Sequence, residues 1–161
     1  MQYMEFACRE NKNGKANGNG LTPFLTLKAG ANRVRFVGRV VEFLKEPFKP
    51  GEKPLRRFLA HVFHDGRLHL LDMAPTIYDA LALFADGDGQ RISGPNAPEF
   101  IIGRQGEMLN SRYSVMSGEP APLPPELDIE RLDAELWKTA ERLEKKAAKS
   151  SGAELAEARA L

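Results

Sequence analysis

The sequence predicts a mainly β fold of five strands with one short helix between them, followed by a C-terminal amphipathic helix. Three observations predict it. Apolar and polar residues alternate over several short segments, a pattern typical of half-buried strands. An Asp-Gly pair separates two such segments, as in a tight hairpin. Apolar residues recur at helical spacing over residues 75–84 and 129–143.

The first twenty residues are predicted to be a flexible N-terminal segment. Residues 11–20 consist almost wholly of Gly, Asn and Lys, which bury little surface and resist a single backbone conformation. A globular domain is then predicted over residues 21–125, and a helical tail over residues 126–161.

The first strand of that domain is predicted within residues 33–43. Its side chains alternate, with Val34, Phe36 and Val40 on the predicted inner side and Arg33, Arg35 and Arg39 on the outer side. Gly38 in the middle predicts a bulge or sharp bend, which small barrels use to turn their corners.

A long exposed loop is predicted over residues 44–54, because this segment holds three prolines, a glycine and three lysines. Phe48 lies within the loop and has no obvious core to enter. Both a ligand contact and a packing role are therefore open for this ring.

A β-hairpin is predicted next, because β-rich runs flank Asp65-Gly66, a pair that favours positive φ at both turn positions. The resulting register pairs His64 with Arg67 and Phe63 with Leu68. One face of the hairpin is then apolar and the other mixed, the first with Leu59, Phe63, Leu68 and Leu70 and the second with Phe58, His64, Arg67 and His69.

The remaining elements complete the order of a small barrel. A short amphipathic helix is predicted from Pro75, which a first helical turn tolerates, and two further strands over residues 99–104 and 112–116. Five strands with a helix before the last pair are the order of an OB-like barrel. The four prolines of residues 118–126 cannot lie within a central strand and are expected to end the barrel.

The predicted tail helix has an apolar stripe formed by Ile129, Leu132, Leu136, Ala140 and Leu143. This stripe is expected to pack against the barrel or against a second copy of the chain. The chain is therefore expected to be a monomer or a homodimer.

Composition argues against several classes of function. The single cysteine, Cys8, can form no intrachain disulfide, and His61 and His64 fall on opposite faces of a strand, so no metal or other cofactor is expected. No common catalytic motif is present, and an enzyme is not expected. Since no signal peptide or apolar span is visible, we expect a cytoplasmic protein without membrane association.

Charge is distributed unevenly, although the formal net charge is only +1. Residues 28–67 contain ten basic and four acidic residues, whereas residues 126–161 contain seven basic and nine acidic ones. A basic body is typical of a nucleic-acid-binding surface.

Several stretches of the chain together carry a family resemblance. They read NRVRFVGRVVEFLKEPFK, then RRFLAHVFHDGRLHLLDMAPTIYDALALF, then EFIIGRQGE, NSRYSV and PAPLPPE. This succession resembles bacteriophage single-stranded DNA-binding proteins of the OB-fold kind, over about residues 31–126. The resemblance implies binding and protection of single-stranded DNA, without sequence preference or catalysis, during phage replication or recombination.

The resemblance also implies that cations contact the DNA backbone while aromatic rings stack on bases. The implied contact residues are Arg33, Arg35, Arg39, Phe43, Lys45, Phe48, Lys49 and Lys53 of the first strand and its loop, Arg56, Arg57, Phe58 and Arg67 of the hairpin, and Arg112 and Tyr113 of the last strand.

Protein partners are a second expectation. Many such proteins recruit replication or recombination proteins through a strongly acidic tail, whereas this tail has mixed charge. The alternative function is a phage interaction or inhibitor protein that holds a host or replication protein on the same barrel, since OB folds serve many ligands.

Overall fold

The computed structural model describes residues 2–4, 22–85, 90–106 and 111–160. Within these ranges lie β1 (Gln2–Met4), β2 (Gly30–Lys45), β3 (Leu55–His64), β4 (Arg67–Met73), α1 (Pro75–Ala82), α2 (Gln90–Ser93), β5 (Pro98–Gln105), β6 (Arg112–Pro120) and α3 (Ile129–Ala160). No helix in the described ranges has the length and apolar character needed to span a membrane. Most of the N-terminal segment predicted to be flexible lies outside the described residues.

The strands form one antiparallel sheet in the order β4-β3-β2-β5-β6, and β1 pairs with β2 beside this path. The mainly β class is therefore confirmed. The described pairings begin at β4 and end at β6, so they form an open sheet where the sequence predicts a barrel. Strand β1 was not predicted from the sequence.

Strand β2 holds the two halves of the sheet together. Its residues 30–34 pair with β5, whereas residues 35–45 pair with β3. The register shifts between Val37 and Val40, and Gly38 at that point has a φ of +73°. Glycine adopts positive φ at little cost, so the predicted bulge at Gly38 is confirmed with its physical reason.

The predicted hairpin is also confirmed. Both turn residues have positive φ, 51° at Asp65 and 75° at Gly66, and His64 pairs with Arg67 across the turn. Helix α1 begins at Pro75, where the missing N–H costs no helical hydrogen bond.

The half of the sheet formed by β2 and β3 is buried on both faces. Phe58 belongs to an inner cluster with residues of α1 and β5, whereas Leu59 belongs to a second cluster beneath α3. Successive strand residues point to opposite faces, and both of these side chains are fully buried. Both faces of β3 are therefore covered at this point. Phe58, on the hairpin face predicted to be mixed, therefore lies in the core.

Helix α3 covers the second cluster. Leu132, Leu136 and Ala140 of the predicted stripe are buried, and Leu136 and Ala140 pack with Val41 and Phe43 of β2. The helix therefore packs against the sheet of its own chain. Strand β6 extends to Pro120, beyond its predicted end, because the last strand of the sheet path tolerates proline at its edge.

Candidate functional site

Three of the residues implied to contact DNA are buried. Phe43 lies beneath α3, and the ring of Phe58 stacks on Tyr78 with centroids 3.9 Å apart in the inner cluster. Arg35 is only 5% exposed. A nucleic acid cannot reach these side chains in this conformation, so they leave the candidate contact set.

Arg35 holds three chain segments together. Its guanidinium donates hydrogen bonds to the carbonyl oxygens of Phe36, Gly94 and Ala121 at 2.5–2.6 Å. Burial lowers the pKa of Arg35 to about 10, which leaves it charged at neutral pH. The side chain lies opposite Val34 and Phe36, as the alternation predicts, but segments distant in sequence cover that side.

Several other predicted cations are paired with acids. Arg57 and Lys45 share the Asp72 carboxylate at 2.7 and 2.6 Å. Arg33 pairs with Glu99 at 2.7 Å, and Arg56 pairs with Glu42. The half-buried Arg39 donates its backbone N–H to Asp133. The ion pairs of Lys45, Arg33, Arg56 and Arg57 reduce the positive potential that these four side chains present to solvent.

The loop between β2 and β3 presents its aromatic ring to solvent. Phe48 is 71% exposed, and the neighbouring Lys49 and Lys53 are exposed as well. A turn shapes the loop, in which Glu52 donates its N–H to the carbonyl of Lys49 and Gly51 has a φ of +86°. The loop therefore offers one ring and two cations together.

Arg67 and Arg112 of the predicted set are accessible as well, without an ion pair among the contacts described. Arg67 is exposed at the hairpin turn, and Arg112 is exposed at the start of β6. Tyr113 is half-buried and packs against the inner cluster.

A shallow groove of about 310 Å³ lies on the outer face of β2, β5 and β6. Three small residues, Ala31, Gly103 and Ser114, line it in one cross-strand row. A Cβ at Gly103 would lie 2.5 Å from Ser114 Oγ, so a larger residue at this position would require the Ser114 hydroxyl to move.

The groove has one apolar and one polar end. Ile101 and Met116 pair across β5 and β6 at the apolar end, where Met116 is 60% exposed. Gln105 pairs with Arg112 at the polar end. Arg104 also lines the groove, held by a hydrogen bond from its guanidinium to the carbonyl of Leu27.

Sequence reasoning identified Arg112 and Tyr113 of this groove but missed Gly103, Ser114 and Met116. The signal available for Gly103 was a glycine inside an otherwise regular strand, which often marks a close approach. The cross-strand row could not be predicted, because Ala31 and Gly103 are distant in sequence.

The described residues do not include three or more histidine, cysteine or acidic side chains grouped so that they could hold a metal ion. The groove and the loop instead offer cations and aromatic or apolar surfaces, which suit phosphates and planar rings. No family model, curated protein or solved structure matches this chain.

Proposed function

We propose that the protein binds single-stranded DNA without sequence preference and without catalysis. The groove over Ala31, Gly103 and Ser114 is the observation that carries this proposal. Its small-residue floor leaves room for a flat base, and Arg112 at the polar end can neutralise a phosphate.

We further propose that strands β2 to β6 form an OB-like barrel. The order of three strands, a helical segment and two strands supports this proposal, as does the bend of β2 at Gly38 between its two partner strands. Barrels of this kind bind oligonucleotides on an outer strand face, which is where the groove lies.

In the proposed complex the backbone and the bases are bound by different side chains. Lys49, Lys53 and Arg112 neutralise phosphates, whereas Phe48 stacks on a base; Tyr113, which packs against the inner cluster, is left out of this set. Stacking contributes about 1–3 kcal/mol per base and tolerates any sequence, because every base has a π-face. The expected role is coating and protection of single strands during phage replication or recombination.

A protein ligand is the second candidate. The exposed side chains of Met116 and Phe48 would also suit an apolar protein surface. A host or replication protein could then occupy the groove, as expected for an interaction or inhibitor protein.

A fluorescence-anisotropy titration tests the proposal. Labelled oligo-dT and a duplex of equal length are compared at low and high salt. We expect binding to the single strand alone, with affinity falling steeply as salt rises because counterions are released. Absence of single-strand binding at low salt would contradict the proposal and favour a protein ligand.

One pair of variants locates the interface. Arg112→Gln should weaken oligo-dT binding by about threefold to tenfold and lower the salt slope by about 0.7, the value expected for one lost phosphate contact. Arg56→Gln is the matched control, since this exposed guanidinium is paired with Glu42 on another strand. A larger effect at Arg56 would place the interface on the β2–β3 half of the sheet.

A further inference from the structure

Helix α3 presents a row of cations to solvent. Lys138, Arg142, Lys145 and Lys149 are all exposed, and they are spaced four, three and four residues apart. This spacing aligns them along one side of the helix. Leu136 and Ala140, which pack on the sheet, lie on the opposite side. We call these four residues the α3 cation row.

Three acidic residues of α3 are directed towards the sheet side of the helix. Asp133 accepts the backbone N–H of Arg39 at 2.8 Å, and Glu144 accepts that of Leu44 at 3.0 Å. Glu135 accepts the hydroxyl of Thr22. Because the sheet side engages these three carboxylates, the mixed overall charge of the tail conceals a basic outer side.

The cations of the row are largely uncompensated. Lys145 pairs with Glu141 at 3.3 Å, and an exposed pair of this kind is weak. In the part of the chain that the structure describes, Lys138, Arg142 and Lys149 have no ion pair or side-chain hydrogen bond.

We propose that the α3 cation row binds the phosphate backbone of a nucleic-acid strand, as a second contact surface beyond the groove. The row spans about 16 Å, from the rise of 1.5 Å per residue, and it contains no aromatic ring. Three of its four cations are flexible ammonium groups, which contact the phosphate backbone and do not select a base. The inference rests on the proposed single-strand binding. It adds that a strand long enough to extend past the groove also contacts the α3 cation row.

The test compares two strand lengths. Oligo-dT of about 5 nucleotides can occupy the groove alone, whereas oligo-dT of about 30 nucleotides can reach both surfaces. The triple variant Lys138→Gln, Arg142→Gln, Lys149→Gln should bind the long strand about fivefold to tenfold more weakly. Its salt slope for the long strand should fall by about 2, and its affinity for the short strand should stay unchanged.

A charge-conserving control separates electrostatics from helix stability. The variant Lys138→Arg, Arg142→Lys, Lys149→Arg keeps all the charges and should bind both strands like the unaltered protein. Circular dichroism should show unchanged helix content in both variants, because glutamine, lysine and arginine have similar helix propensities.

Each other outcome is decisive. Unchanged long-strand affinity in the glutamine variant would overturn the proposed role of the cation row. If the unaltered protein binds the long strand but not the short strand, the proposed role of the groove is overturned. Binding of neither strand would overturn both. If the glutamine variant loses only its binding to phosphatidylserine vesicles, the row serves an anionic membrane and the nucleic-acid proposal is overturned.

Discussion

At the scale of single residues, an arginine can serve the interior instead of the surface. Arg35 and Arg33 occupy the same strand two residues apart, yet Arg35 is buried while Arg33 is exposed. The difference is that four carbonyl oxygens surround the Arg35 guanidinium, whereas the described contacts of the Arg33 side chain are limited to the exposed pair with Glu99.

Arg35→Ala should destabilise the fold by about 2–4 kcal/mol, because buried carbonyls would lose charge-assisted hydrogen bonds. Urea denaturation measures the change. Arg33→Ala is the control and should cost less than about 1 kcal/mol, as expected for an exposed ion pair. Equal costs for the two variants would contradict the structural role of Arg35.

Phe48→Ala should weaken oligo-dT binding by about fivefold or more without changing thermal stability, because the ring is exposed and stacking is worth about 1–3 kcal/mol per base. Anisotropy titration and a melting curve measure the two effects. Leu83→Ala removes another apolar side chain, 80% exposed, and should change neither. Unaltered binding in Phe48→Ala would exclude the ring from the interface.

At the scale of elements, the bulge in β2 and the docking of α3 depend on the same residue, Gly38. Asp133 of α3 accepts the N–H of Arg39, which follows Gly38. A Cβ at Gly38 would lie 2.5 Å from Asp133 Oδ1. The missing side chain at Gly38 therefore permits the positive φ of the bulge and also the approach of the helix.

Gly38→Ala should cost about 2–3 kcal/mol, since alanine is strained at positive φ and its Cβ would also displace Asp133. Gly51→Ala isolates the first effect, because Gly51 has a φ of +86° with no atom within 4 Å of an added Cβ. We expect about 1 kcal/mol for Gly51→Ala in urea denaturation. A Gly38→Ala cost no larger than this would show that helix docking does not depend on the bulge.

At the scale of the whole molecule, α3 decides which part of the sheet remains accessible. The helix covers the outer face of β2 and β3, where Phe43 and Leu59 are buried. The outer face of β5 and β6 keeps its groove and the exposed Met116. The candidate groove thus lies on the half of the sheet to which sequence reasoning assigned only Arg112 and Tyr113.

The contact between α3 and the sheet at Glu135 should make the free energy of unfolding depend on pH in the acidic range. The His61 ring, with Nε2 3.5 Å from Glu135 Oε1, is the main cause that lowers the pKa of Glu135, and the Thr22 hydroxyl adds to it while burial opposes. Because the pKa of Glu135 is lower in the folded state than its ordinary value of 4.5, the ionised carboxylate stabilises the fold above about pH 4.5. This contribution is lost as the pH falls through the pKa that Glu135 has in the folded state.

Glu135→Gln should therefore reduce the loss of stability between pH 5 and pH 3, a window set by the lowered pKa of this carboxyl. Urea denaturation at several pH values measures the slope. Glu130→Gln replaces an exposed carboxyl of the same helix and should leave the slope unchanged. Identical slopes in both variants would mean that the contact of Glu135 with His61 and Thr22 does not contribute.

The sequence by itself determined features that depend on neighbouring residues. Asp65-Gly66 specified the hairpin turn and Gly38 the bulge, because backbone sterics permit positive φ at few residue types. Pro75 marked the start of α1, and helical periodicity identified the buried side of α3. Each of these features depends on residues that are close to one another in the sequence.

Only the tertiary structure decided what covers each face. Alternation separates the two faces of a strand, but it does not reveal that α3 buries Phe43 or that Gly94 and Ala121 surround Arg35. Nor can it align Gly103 with its cross-strand neighbours in the groove. Burial and ion pairing depend on segments that are remote in sequence. The alternation of side chains predicts to which face of a strand a residue points, but it does not predict which segment packs against that face.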